Sequence, residues 1–257
     1  MEFRPVEGNL RQSFRVLAAD RAGADVIELP GVSIASLGVA FQMFNAAYLS
    51  SIVENEDEMR SRLEVARAHF QTREMAWSFW ICEDWLTRPL RRKLSRICQS
   101  FDLRLVSEMP GMTADAVKAA RRPLPDLEIR RVDSLPVLRD FQAIGSTCFH
   151  VPPAWFSEVF DERWSARSEF ACFVGYREGE PVATAASVPS PGAVGIYNVA
   201  TAPGHRERGY AELMTRYAIN ASPASQLVLQ ATWQGLSLYE RMGFRAVTRF
   251  SVYNSTR

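Results

Sequence analysis

The sequence has 257 residues, enough for one large domain or two small ones. Apolar residues make up 47% and charged residues 23%, the balance of an ordinary soluble globular protein. Thirty Lys and Arg against 29 Asp and Glu leave a formal charge of +1, so no overall field favours nucleic acid or an anionic membrane as partner.

In chain order, Asp25–Leu29 and Val32–Ala40 predict short strands around the Pro30–Gly31 turn, and the apolar, aromatic Phe41–Ser51 a third. Met59, Leu63, Ala66 and Phe70 recur at helical spacing and predict a helix over Asp57–Phe70. Ala76–Trp85, rich in Trp and Phe, suits a buried strand. Pro89 can open a helix with Leu90, Leu94 and Ile97 on its apolar face, and Leu103–Val106 follows as a strand. The segment Arg121-Arg122-Pro123-Leu124-Pro125-Asp126 is polar and carries two prolines, which disfavour helix before them. It reads as a domain boundary, giving domains 1–122 and 127–257.

Beyond it, Leu127–Val132 predicts a strand and Ser134–Gly145 a helix with Ser134 as N-cap. Phe170–Arg177 and Pro181–Val188 form a hairpin about Gly179, and Val194–Ala200 is another strand. A helix over Arg208–Ala221, a strand over Leu227–Ala231, a helix over Gly235–Met242 and a closing strand over Ala246–Tyr253 complete the half. That order implies an α/β (α+β) fold, a mixed sheet with helices on its faces.

The informative loop follows the strand ending at Ala200. After a turn containing Pro203 and Gly204, Arg206-x-x-Gly209-x-Ala211 opens a helix. The first turn of a helix has amides without internal partners and the positive end of the macrodipole. Small residues at 209 and 211 would let a pyrophosphate approach, and Arg206 and Arg208 add charge. Taken alone, the motif is also what a plain strand–turn–helix joint would show. A second element lies downstream: the strand Leu227–Ala231 feeds a short helix containing Tyr239, which Gly243 stops before Phe244.

With both elements in order, the segment from about Leu127 to Tyr253 resembles the GCN5-related N-acetyltransferases, the GNAT superfamily. The resemblance implies a mostly antiparallel, twisted sheet flanked by helices, and an acyl-CoA-dependent N-acyltransferase. Acetyl-CoA would be the co-substrate, no metal would be required, and the acceptor would be a small-molecule or peptide amine. In such proteins the strand before the loop splays from its neighbour and its free backbone groups bond the pantetheine arm; here these would be the backbone groups of Val199 and Thr201. The amides of Arg206, Glu207, Arg208, Gly209, Tyr210 and Ala211 would hold the pyrophosphate. Tyr239 would be the general acid that protonates the departing thiolate, a fitting task for a phenol; otherwise it is a packing residue. Where relatives often carry asparagine, Thr232 stands, and its hydroxyl can still bond a water or the cofactor.

No Asp or Glu occurs between Pro181 and Arg206, or from Leu227 to Gly235, so neither central strand offers a carboxylate base. Water relayed by Tyr197, Asn198 or Gln230 remains, as do Glu158, Asp161 and Glu169 from outside. His205 beside the loop suits a phosphate contact or exposure, and His150 a structural role or exposure. The missing carboxylate keeps a non-catalytic acyl-CoA sensor or scaffold as the alternative, whereas a nucleotide loop of the GxxxxGK[ST] type is absent.

The order of elements in 1–122 echoes the second half, so the chain resembles the tandem GNAT proteins with a degenerate first copy; an unrelated α/β cap is the alternative. Glu54, Glu56, Asp57 and Glu58 at its helix entry would repel a pyrophosphate. Cys82, Cys98, Cys148 and Cys172 lie far apart, which argues for buried thiols in a reducing compartment and against a clustered metal site. Met1–Leu10 has no signal-peptide core and no run reaches the ~18 apolar residues of a membrane span, so a cytoplasmic protein is expected. Oligomeric state is left open.

Overall fold

The structure, a computed structural model, describes residues 1–163, 169–222 and 224–256. In chain order the elements are α1 (Arg4–Ala18), β1 (Asp25–Leu29), β2 (Val32–Ser36), β3 (Asn45–Leu49), α2 (Glu56–Gln71), β4 (Ser78–Cys82), α3 (Arg88–Gln99) and β5 (Leu103–Ala114). Then follow β6 (Glu128–Arg131), α4 (Leu135–Phe149), α5 (Pro153–Val159), β7 (Ala171–Arg177), β8 (Glu180–Ser190) and β9 (Ala193–Thr201). Last come α6 (Tyr210–Ala221), β10 (Leu227–Gln230), α7 (Leu236–Met242) and β11 (Arg245–Ser255). No described helix is long and apolar enough to cross a membrane.

Two compact units emerge, and neither is continuous in sequence. The first takes 1–3, 14–111 and the segment from Ala246; the second takes 4–13 and 112–245. This corrects the expected division. Residues 121–126 lie inside the second unit, and the strand expected to close the second domain belongs to the first. The physical reason is that β11 finds its antiparallel partner in β4, with Phe250 opposite Cys82 and Asn254 opposite Ser78. Arg257, the expected end of the second domain, lies outside the described residues.

In the first unit β1, β2 and β3 are antiparallel neighbours, and β4 joins β3 in parallel, Ala46 opposite Ser78. The helix α2 makes the crossover between them, as a parallel pair requires. Ile34, Leu63, Phe70, Phe79 and Ile81 are fully buried, each stabilising by roughly 1.5–3 kcal/mol relative to exposure. Phe41–Ser51 is not one strand: Gln42–Phe44 forms a 3-10 turn before β3. The buried Glu83 is paired bidentately by Arg249 at 2.8–2.9 Å and receives the Ser251 hydroxyl at 2.7 Å.

In the second unit β6, β7, β8 and β9 are antiparallel and β10 joins β9 in parallel across α6. Buried alanines on β8, Ala183 and Ala185, leave room for Met214 and Ala218 of α6 in one core with Ile196, Leu229 and Phe244. Helices α1 and α5 are not anticipated by the sequence reading. In α1, Val6, Leu10, Phe14 and Leu17 fall at helical spacing and are all buried. Ser134 stands at the N-cap of α4, but its side chain makes no capping bond.

Candidate active site

The strands β9 and β10 pair only at Val194–Leu227, Gly195–Val228 and Ile196–Leu229, while β9 runs on to Thr201 along β8. The divergence has a local cause. Asn198 adopts a left-handed φ of 51°, and the β8–β9 register shifts between Thr184 and Ala186, as an inserted residue on β9 requires. Thr184 fixes the bulge by donating its hydroxyl to the Asn198 carbonyl at 2.8 Å. A cleft of about 830 Å³ occupies the gap. Val199, Thr201, Arg206, Glu207, Arg208, Gly209, Tyr210, Ala211, Thr232 and Tyr239, the residues singled out from sequence, all line it.

At the cleft's loop, Gly209 is the N-cap of α6 with φ 85°, and Glu207 also has positive φ, 63°. With Arg206 extended, the two positive-φ residues bend the chain sharply just before the helix. The first amide of this helix with a main-chain acceptor is that of Leu213, which donates to the Gly209 carbonyl at 3.1 Å. Among the described residues no well-aligned main-chain acceptor meets the amides of 206–211. The site therefore has the orphan donors and dipole end that suit an anion. The Tyr210 hydroxyl accepts from Arg177 at 3.1 Å, which leaves its own proton to be given.

The expectation for Thr201 needs correcting. Its carbonyl receives Arg206 Nε at 3.3 Å and the Cys148 thiol at 3.4 Å, so it is not free for a ligand. Its hydroxyl oxygen, by contrast, is buried with no partner. Val199 packs its side chain on the core.

Tyr239 is buried, in edge contact with Phe244 at 5.9 Å between centroids. Desolvation pushes its hydroxyl up to about 12, against a smaller opposing effect of the Thr215 hydroxyl, so it stays protonated at neutral pH. Thr232 accepts the Gly235 amide at 3.2 Å on Oγ1 and at 3.0 Å on its carbonyl, which starts α7. Its hydroxyl oxygen is thus already an acceptor, and only its proton remains to be given.

Of the groups weighed as proton acceptors, Tyr197, Asn198 and Gln230 line the cleft. The Tyr197 hydroxyl donates to Asn9 Oδ1 at 2.6 Å, and Asn9 Nδ2 donates to the Val188 carbonyl at 2.9 Å and Ser190 Oγ at 2.8 Å. Gln230 Nε2 is buried and makes no well-formed hydrogen bond, though its amide acts on the Tyr197 hydroxyl against the desolvation that pushes that group up. Glu158, Asp161, Glu169, His150 and His205 do not line it; the His205 ring instead lies 3.4 Å from Glu180. Among the described residues the lining carboxylates are Glu207 and Glu212, and Glu212 is paired with Arg216 at 2.6 Å. Sequence reasoning missed Cys148 and Phe149 at the end of α4 and the whole of 121–125, all of which line the cleft.

The corresponding turn of the first unit, before α2, is built differently. Asn55 Oδ1 accepts the Glu58 amide at 2.9 Å, and Glu58 accepts the Glu54 amide at 2.8 Å. That amide, more than neighbouring Arg62, holds the Glu58 carboxyl below the usual range. Arg62 spans the turn, donating to the Ser51 and Ile52 carbonyls at 2.7 Å. Own side chains occupy the place that lies bare before α6.

A family model described as "Acetyltransferase (GNAT) domain" matches residues 168–246. The chain carries a GNAT domain. Acyl transfer from acetyl-CoA is the general activity of such domains. A GCN5-related N-acetyltransferase from Kribbella flavida is similar in fold at 16% identity and TM-score 0.73, over 98% of this chain and 95% of that one. A GCN5-related N-acetyltransferase from Sphaerobacter thermophilus matches at 16% and TM-score 0.57, over 88% and 76%. A tandem GNAT protein from the clavulanic acid biosynthesis pathway matches at 10% and TM-score 0.52, over 98% and 94%. At these identities the likeness is one of fold, and it extends beyond the GNAT domain to nearly the whole chain. No curated protein sequence matches.

Proposed function

We propose that the second unit moves an acetyl, or another acyl, group from coenzyme A directly to an amine of a small molecule or peptide. One observation carries this reading: the gap between β9 and β10 has bare amides at its loop and a protonated, buried phenol among its lining. The amides of 206–211, with Arg206 and Arg208, bind a diphosphate. Val199 and the unpaired Thr201 hydroxyl serve the arm that follows. Bound acetyl-CoA supplies an activated thioester carbonyl. Tyr239 holds its proton until the sulfur departs and then donates it. With no carboxylate on β9 or β10, Tyr197, Asn198 and Gln230 order a water that takes the proton of the amine. The first unit, whose helix entry is filled by its own side chains, is a GNAT-like copy that holds no coenzyme A.

Millimolar acetyl-CoA should raise the melting temperature, since a ligand at about 100 times its Kd adds about 2.7 kcal/mol. No shift would remove the basis of the reading. A non-catalytic acyl-CoA sensor is favoured by the same lack of a carboxylate. It is the reading to adopt if the shift occurs and no amine from a broad panel is acylated.

A further inference from the structure

The stretch that reads as a linker is fixed in place within the second unit. Lys118 donates its amide to the Met242 carbonyl at 2.8 Å, and its carbonyl receives Arg216 at 2.7 Å. At the other end, Pro125 Cδ lies 3.2 Å from where a Cβ on Gly209 would sit, against the loop that opens α6. The segment is thus pinned first beside α6 and α7 and then at the α6 N-terminus. Pro123 and Pro125 stiffen it by locking φ. Between the pins lie Arg121 and Arg122. Both line the cleft, both are exposed, and neither meets a carboxylate among the described residues.

Two unpaired guanidinium groups beside an anion-binding loop call for a second anion. Coenzyme A has two anionic groups, the diphosphate and the 3′-phosphate on the ribose. Bare amides of 206–211 suit the first, which leaves the second for Arg121 and Arg122. From Pro125 back to Arg121 is at most about 14 Å of chain, enough to span the two groups. Guanidinium matches a phosphate monoester by paired, charge-assisted hydrogen bonds. Resting on the acyl-CoA reading above, we infer that Arg121 and Arg122 grip the 3′-phosphate of coenzyme A, making 118–125 a specificity strap and not a linker.

Calorimetric titration with coenzyme A and with 3′-dephospho-coenzyme A, at one ionic strength, tests this. The unaltered chain should bind coenzyme A at least about tenfold more tightly than the dephospho form. In the Arg121→Ala/Arg122→Ala variant that preference should vanish, while affinity for dephospho-coenzyme A stays within about twofold and certifies the fold. Lysines at both positions should restore part of the preference. Equal affinity of the unaltered chain for both ligands would overturn the inference, as would equal weakening of both by the alanine variant. If neither ligand binds the unaltered chain, the acyl-CoA reading falls and takes the strap with it.

Discussion

Tyr239 shows what burial does to one side chain. Its hydroxyl, ordinarily near ~10, is held up to about 12 by desolvation. The sign follows directly: the protonated form is present below the unfolded value and is lost only as pH rises through about 12. The contribution of this group to stability should therefore decline between about pH 10 and 12, where the unfolded chain ionises first, and denaturant titration across that window checks it. If Tyr239 is the acid, Tyr239→Phe should slow acyl transfer by about 100-fold or more while leaving the Kd for acetyl-CoA within about twofold. An unchanged rate would return Tyr239 to a packing role. Glu207 marks the other extreme, an exposed residue in a left-handed conformation that costs of order 1 kcal/mol and shapes the loop.

Among elements, the two helix entries that follow parallel-pairing strands are the instructive pair. The start of α2 satisfies its own donors through Asn55 and Glu58, whereas the start of α6 leaves them open. Asn55→Ala should cost about 1 kcal/mol, seen as a lower denaturant midpoint, with no change in acetyl-CoA binding. Much of this was legible in the sequence, because a helix entry is a local event: the acidic run at 54–58 and the Arg206–Ala211 motif each state their chemistry within six residues. The ladder break at Ile196 was not legible, since it depends on a bulge at a non-glycine residue, Asn198. Neither was α1, whose apolar stripe is interrupted by Glu7, Asn9 and Arg11. The strap hid for another reason: two prolines and three charged neighbours look the same whether a segment hangs free or is pinned at Lys118 and Pro125.

For the whole molecule, the missed point was where β11 goes. Its alternation was readable, but a strand's pattern does not name its partner, and β4 lies more than 160 residues upstream. A fragment of 127–257 should therefore fail as an independent domain. It carries β11 without β4 and lacks 4–13, 112–114 and the strap. Near-ultraviolet circular dichroism should show lost tertiary packing; cooperative unfolding together with full acetyl-CoA affinity would refute the division. The same wiring bears on biosynthesis. Since β11 is translated only after all of 112–245, one edge of β4 waits uncovered through roughly 10–30 s of elongation at about 5–20 residues per second. An open strand edge with Trp77 just before it and Trp80 within it is a hazard during that interval, and nascent chains should recruit a holdase until the ribosome delivers the missing partner.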